Sequence, residues 1–296
     1  MYTPRGENLL ISCVVPTHNR DEYLIEAITS IRHQTLSPAE IIVVDDLGSA
    51  QTRLVLDRNF PELNVVYVDA SSLTNKSAGV SRNMGARYAS GTHLAFLDDD
   101  DLWTPTFLAD CSELFARGES DLVVSWAYFL QGDRRSSGHS MPRGLNAADA
   151  YARNPGLTGS NFVISKQVFL ELDGFDPDLW VSNDRDFLIR FLEAGYTYQV
   201  LEQRVVMQRV HNDGQLTGRT ERRAAGLEQF RRKHMSRLTK RDIRFLDREL
   251  FSIRRVCGET RSLRALYLVR QLMTYKPFEL AQLFVRKINS DRHSYS

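Results

Sequence analysis

HLAFLDDDDLWTP, His93 to Pro105, runs an apolar segment, His93–Leu97, straight into four consecutive acids, Asp98 to Asp101. A near-continuous apolar run fits a strand covered on both faces, as in a parallel sheet flanked by helices. Four adjacent carboxylates repel one another, and the burial of a strand does not call for them. A divalent cation would resolve the repulsion, because hard ions such as Mg²⁺ take carboxylate oxygens and share their other positions with substrate phosphates. Asp98 and Asp100 straddle one residue, so in an extended chain they face the same side. An acid cluster at a helix N-terminus is the plainer reading, but four acids exceed what a helix start requires. The stretch therefore points to a metal–diphosphate site at the carboxyl end of a buried strand.

The same alternation extends outward from it. Leu9–Val15, Ile41–Val44 and Val65–Val68 are short apolar runs rich in β-branched residues. Between them, Arg20–Gln34 places Leu24, Ile25, Ile28 and Ile31 at helical spacing, and Ala78–Ala89 reads as a helix. Leu122–Leu130 and Asn161–Ser165 extend the sheet, and the polar Gly132–Gly144 reads as a loop. A helix starts near Asp184, and Tyr198–Val210 is extended. Strands separated by helices define βαβ units and a mostly parallel, Rossmann-like α/β sheet with flanking helices.

Composition is that of an ordinary globular protein: 296 residues, 42% hydrophobic and 25% charged. No apolar run nears the ~18 residues of a spanning helix. The N-terminus lacks a basic segment followed by a long apolar one, so no secretion signal is expected. Cys13, Cys111 and Cys257 form neither a CxxC pair nor a disulfide framework, which fits a reducing, cytoplasmic setting. The net charge of +1 hides an asymmetry: residues 1–218 carry 18 Lys/Arg against 29 Asp/Glu, and residues 219–296 carry 20 against 8. This shift sets the expected domain division, an α/β domain over 1–218 and a basic, helical C-terminal extension over 219–296. A segment this basic suits either the acidic domain or an anionic membrane surface. It lacks the interleaved aromatics and the motifs of a nucleic-acid binder, so no nucleic-acid partner is expected.

Ligands of open α/β sheets sit outside the carboxyl ends of the strands, and the candidate residues gather there. In VVPTHNR, Val14 to Arg20, a strand gives way to Thr17, His18 and Asn19; the alternative is a strand exit with Asn19 capping the next helix. In EIIVVDDLGS, Asp45 and Asp46 end another strand, where a carboxylate can accept from a nucleobase or ribose, or can close a turn. In SAGVSRNMGARYASG, Gly79 and Gly85 flank Arg82 and Asn83, and the planar fork of Arg82 suits a phosphate. This is neither a Walker loop nor a GxGxxG fingerprint. In GFDPDLWVSNDRDF, Asp184 lies at a helix entry, suited to a general base or to an N-cap. In QRVHNDGQLT, His211 follows the last extended run and suits a metal shell, a phosphate, or a structural role.

Taken in order, VVPTHNR, EIIVVDD, AGVSRNMGARYASG, FLDDDD with LWTP, DGFD and NDRDF resemble the inverting family-2 glycosyltransferases of the GT-A fold, across roughly residues 9–217. The resemblance implies metal-dependent, inverting transfer of a sugar from a nucleotide diphosphate donor, UDP-linked in most of the family, to an acceptor hydroxyl. Pro16, Thr17, His18 and Asn19 would line the nucleotide pocket, with Asp46 on the base. Arg82 would face the donor, with Asp98, and Asp99 beside it, at the ribose. Asp100, with His211, would hold Mn²⁺ or Mg²⁺, and Asp184 would take the acceptor's proton. The implied acceptor is a glycan or lipid-linked sugar of surface polysaccharide or glycolipid synthesis. The enzyme would then be cytoplasmic and peripheral at the inner face of the membrane, held by the basic extension. The sequence departs from the family's habits in Asn183 where Glu is usual, in Leu47 after Asp46, and in Arg185 where an aromatic is frequent. Two other classes share some of these features. A nucleotidyltransferase would carry a glycine-rich basic signature near the first strand, which VVPTHNR lacks. A non-catalytic nucleotide-sugar-binding protein would not need Asp46, Asp98, Asp100 and Asp184 together.

Overall fold

A computed structural model describes residues 9–118, 120–210 and 218–282. The chain divides into two compact units, Met1–His211 and Asn212–Ser296. The first opens with β1 (Ile11–Thr17), α1 (Asp21–Arg32), β2 (Glu40–Asp45), α2 (Ala50–Asn59), β3 (Val65–Asp69), α3 (Ala78–Tyr88) and β4 (His93–Phe96). It continues with β5 (Leu102–Trp103), α4 (Phe107–Arg117), β6 (Leu122–Gln131), β7 (Arg134–Ser137), α5 (Ala147–Ala150), β8 (Phe162–Ser165), α6 (Lys166–Glu171), α7 (Asn183–Glu193) and β9 (Tyr198–Arg209). The second unit holds α8 (Glu221–Lys233), α9 (Lys240–Cys257) and α10 (Arg261–Met273). No helix among the described residues is long and apolar enough to cross a membrane.

The described strands form one sheet in the order β3-β2-β1-β4-β8-β6-β9-β5, with β7 on β6. The parallel order expected from the βαβ pattern holds from β3 through β4, and the antiparallel β8 then joins these strands to the parallel pair β6–β9. Every residue of β1 and β2 is buried, which is why both read as unbroken apolar runs. Val14 pairs with Ile42 on one side and Phe96 on the other, and Thr17 pairs with Asp45. The carboxyl ends of β1, β2 and β4 therefore emerge along one edge. Gly85 lets α3 lie close to this sheet, since a Cβ there would run into Val14 and Val44.

Below that edge lies a cluster of fully buried phenylalanines. Phe187 of α7 packs against Phe169 at 5.3 Å and Phe175 at 5.4 Å between ring centroids, and Phe96 packs against Phe169 at 5.1 Å. These rings fix α7 to the end of β4. Phe187→Ala is expected to destabilise the fold by about 3–5 kcal/mol. A thermal melt should show this as a midpoint roughly 10 °C lower; a midpoint within 2 °C of wild type would mean that the cluster does not anchor α7.

Two local structures differ from the sequence expectation. The polar segment 132–144 contains β7, a solvent-exposed strand in a hairpin with β6; its RRSS sequence carries no apolar signal. The four acids do not continue β4. They form a tight turn, with the Asp101 N–H donating to the Asp98 carbonyl at 3.0 Å.

Candidate active site

At the end of β1, Thr17 Oγ1 donates to Asp99 Oδ2 at 2.9 Å, and the His18 N–H reaches the same oxygen at 3.4 Å. The exposed imidazole of His18 places Nδ1 2.5 Å from Asp46 Oδ1. Asp45 and Asp46, adjacent in sequence, have separate tasks. Asp45 is fully buried and accepts from the N–H groups of Leu47 at 2.9 Å and Ser49 at 2.8 Å, and from Tyr67 Oη at 2.9 Å. It closes the turn that accommodates Leu47, aided by Gly48 at a φ of 65°. Asp46 is left to face His18. Pro16 lies inside β1, opposite Val44, so the strand runs through it. Asn19 takes a positive φ of 52° and does not cap α1, whose N-cap is Arg20 without a side-chain cap bond.

Turning the acids back on themselves sorts them. Asp99 and Asp101 point inward and are buried, whereas Asp98 and Asp100 remain partly exposed. Burial and the neighbouring Asp100 push the Asp99 carboxyl up to about 6. Burial, then the charges of Asp98 and Asp100, push Asp101 well above the usual carboxylate range, against the hydrogen bonds it accepts from Ser160 and from the Arg209 N–H, the latter at 2.9 Å. Three arginine side chains lean on the turn: Arg20 Nη1 meets Asp100 Oδ2 at 2.9 Å, Arg209 Nε donates to the Asp100 carbonyl at 3.0 Å, and Arg82 pairs with Asp98. Asp98, Asp100 and Asp101 each offer a carboxylate oxygen, all within 4.8 Å of one another. A compact set of hard oxygen donors whose mutual repulsion raises a carboxyl pKa fits Mg²⁺ or Mn²⁺. The fit comes from the turn and not from the strand alternation expected of Asp98 and Asp100. It brings in Asp101, which the sequence reading assigned no role.

Arg82 connects this turn to α7. It is only 4% exposed, sits in the middle of α3, and has its guanidinium carbon 5.5 Å from the centre of the Phe175 ring. Gly159 passes so close that a Cβ there would strike the guanidinium. Next door, Ser160 Oγ accepts from the Asp98 N–H at 3.0 Å. Asn83 of α3 holds the loop before α7, accepting from the Phe175 N–H at 2.8 Å and donating to its carbonyl at 2.7 Å. Ser182 then turns with a φ of 59°, and Asp184 lies in the first turn of α7.

The Asp184 carboxylate accepts from the Arg185 N–H at 2.7 Å and from Asn154 Nδ2 at 3.0 Å. Burial raises its pKa, and the charges of Arg82 and Arg185 counteract part of that rise. Asp186, two residues on, is fully buried and bonded to Arg190 Nε at 2.8 Å. It belongs to the scaffold. Arg185 is buried too, with Nε donating to the Ala150 carbonyl at 2.7 Å, so it braces α5.

The structure thus gathers Thr17, His18, Asp46, Arg82, Asp98, Asp99, Asp100 and Asp184 along the carboxyl edge of the sheet. His211 lies outside the described residues. Sequence reasoning assigned no role to Arg20, Ser160, Arg209 or Asn154. Arg20 had a signal, since it closes the VVPTHNR string; the other three lie far along the chain from the segments they serve.

The fold is an open α/β sheet with acids and arginines gathered at its carboxyl edge, and comparison with known proteins identifies the family. The family model for glycosyl transferase family 2 matches residues 12–172, and that for glycosyl transferase family group 2 matches residues 93–288. The chain belongs to glycosyl transferase family 2 and is a glycosyltransferase. It is 29% identical over 276 residues to a putative colanic acid biosynthesis glycosyl transferase, WcaA, of Escherichia coli, covering 89% of this chain and 95% of that protein. A second E. coli relative, the UDP-Glc:α-D-GlcNAc-diphosphoundecaprenol β-1,3-glucosyltransferase WfgD, is 35% identical over 100 residues, covering 33% of this chain and 37% of WfgD. Among solved structures, TarS 1-349 of Staphylococcus aureus aligns with a TM-score of 0.65 at 18% identity, over 90% of this chain and 79% of TarS 1-349. The mannosyltransferase PcManGT of Pyrobaculum calidifontis, solved with GDP-Man and Mn²⁺, aligns with a TM-score of 0.58 at 19% identity, over 94% and 83%. These two likenesses establish the GT-A fold.

Proposed function

We propose that this glycosyltransferase moves a sugar from a UDP-linked donor to an acceptor hydroxyl with inversion at the anomeric carbon, using Mn²⁺ or Mg²⁺, in the synthesis of a surface polysaccharide or glycolipid. The observation that carries this reading is the convergence of Asp98 and Asp184 on the buried Arg82, with the same turn tied through Asp99 to Thr17 and His18, which faces Asp46. Pro16, Thr17, His18, Asn19 and Asp46 are assigned to the nucleoside, with the bond between His18 and Asp46 setting the edge that a base would meet. Asp98 is assigned to the ribose, with the buried Asp99 corrected to a positioning role that holds Thr17 and the His18 N–H, Arg82 to the donor phosphates, and Asp100 with its neighbours in the turn to the cation. A bound cation supplies electrostatic stabilisation of the charge that develops on the leaving diphosphate. Asp184 takes the proton from the acceptor hydroxyl as that oxygen attacks from the face opposite the diphosphate. A single displacement needs only this one carboxylate, whereas most glycosidases use two.

Two relatives support the donor and acceptor classes: WcaA is a putative colanic acid biosynthesis glycosyl transferase, and WfgD is a UDP-Glc:α-D-GlcNAc-diphosphoundecaprenol β-1,3-glucosyltransferase. We place the transferase domain at 1–218 and the basic extension at 219–296. The enzyme is assigned to the cytoplasmic side of the membrane that carries its acceptor.

Incubation with UDP-sugars, Mn²⁺ and lipid-linked or free glycan acceptors is expected to release UDP together with a glycosylated product of inverted configuration. Release of inorganic pyrophosphate instead of UDP would replace this reading with the nucleotidyltransferase one.

A further inference from the structure

α10 is built inside out. At 3.6 residues per turn, Ala265, Leu266, Leu268, Val269, Leu272 and Met273 share one face, yet α10 has no buried residue. Val269 is 54% and Met273 77% exposed. The other side of the helix is fixed to α9. The Tyr267 ring stacks on Phe251 at 6.3 Å, and Arg264 Nε donates to the Gly258 carbonyl at 2.7 Å. Arg248 grips the far end, donating to the Thr274 carbonyl at 3.1 Å and to Glu279 at 3.0 Å. These contacts hold the leucines outward. Arg264 and Arg270 border the apolar face on either side. Beside it, Arg255, Val256, Arg264, Ala265 and Leu268 line a cavity of about 300 Å³. Arg255 Nε is buried with no hydrogen-bond partner among the described residues.

We infer that this face is a membrane-docking surface for an anionic phospholipid bilayer. An exposed apolar stripe flanked by arginines is the pattern of a helix that lies in the interface plane, its apolar side among the acyl chains and its cations at the headgroups. The cavity offers a buried donor and a second guanidinium to a lipid phosphate, with apolar walls for the chain below it. Charge selects this occupant over a second copy of the protein. Residues 219–296 carry 20 Lys/Arg against 8 Asp/Glu, so two such faces would meet with like charge, whereas an anionic leaflet attracts them. The inference deepens the proposed function by naming how the enzyme reaches a membrane-borne acceptor. It is tested without donor turnover, so either idea can fail alone.

The full-length protein should co-float with vesicles of phosphatidylcholine containing 30% phosphatidylglycerol, and bind pure phosphatidylcholine vesicles at least tenfold more weakly. Val269→Glu with Met273→Glu, both at exposed positions, should lower binding at least tenfold. Arg264→Gln with Arg270→Gln should lower it about tenfold or more. Both doubles should keep the wild-type melting temperature. Failure of the wild type to float, or wild-type flotation of the Val269→Glu/Met273→Glu protein, would overturn the inference. So would a dimer in light scattering that this double abolishes while vesicle binding stays absent, which would assign the face to a second copy.

Discussion

Asp100→Asn is expected to lower donor turnover about a thousandfold, at ~1.4 kcal/mol of barrier per factor of ten. The four acids are not equivalent, and the turn explains why. Asp99 is committed to Thr17 and the His18 N–H, and Asp101 to Ser160 and the Arg209 N–H. Asp98 shares its carboxylate with the buried Arg82. Asp100 is partly exposed and faces Arg20, whose side chain is 30% exposed, so a cation can reach it and water can take over the hydrogen bonds of the displaced guanidinium. The substitution keeps the size of the side chain and removes its charge. The metal-free protein should therefore melt close to wild type, because lost pairing with Arg20 is offset by weaker repulsion within the turn. The rise in melting temperature with Mn²⁺ should largely vanish, since a ligand stabilises only in proportion to its affinity for the folded state. Turnover within threefold of wild type, with the Mn²⁺ response intact, would remove Asp100 from the site and leave Asp98 and Asp101 to be tested.

Arg20 shows what the sequence carried and what it did not. The strands β1, β2 and β4 were legible because burial on both faces leaves no polar alternation to misread. Their shared carboxyl edge follows from parallel order, so Thr17, Asp46 and Asp98 were legible as neighbours. The direction of each acid was not. Reading Asp98 to Asp101 as extended chain puts them alternately on two sides, whereas the turn brings Asp98, Asp100 and Asp101 together and sends Asp99 to Thr17. Nor was the depth of Arg82. Arginine is rarely fully buried without a partner, and its partner is Asp98, a residue 16 positions away. The extension over 219–296 was legible as basic and helical, but that does not say which side of α10 faces a neighbour. Only contacts such as Tyr267 on Phe251 show that the leucines face out.

Asp184→Ala is expected to lower kcat/KM by 10²- to 10⁴-fold, the range of a positioned general base, and to change the shape of the pH profile. The raised pKa of Asp184 sets the sign. The ordinary value for an aspartate is about 3.9, and burial lifts this one above it. A base must be ionised to accept a proton, so wild-type activity should fall as pH drops through the raised pKa. In Asp184→Ala the part of that acid limb set by Asp184 should disappear, leaving only the part set by the raised carboxyls of Asp99 and Asp101 in the turn. In Asp100→Asn the limb should persist beneath a lower plateau, because the base is intact. Stability separates chemistry from collapse. Removing a carboxylate from a buried position relieves a desolvation cost, while the bonds from the Arg185 N–H and Asn154 are lost. These effects oppose each other, so the melting temperature should stay within about 4 °C of wild type, roughly 1 kcal/mol for a domain of this size. An acid limb identical in shape to that of wild type in Asp184→Ala would show that another group takes the proton. A loss of activity that tracks a large fall in melting temperature would make Asp184 a strut of α7 and not the base.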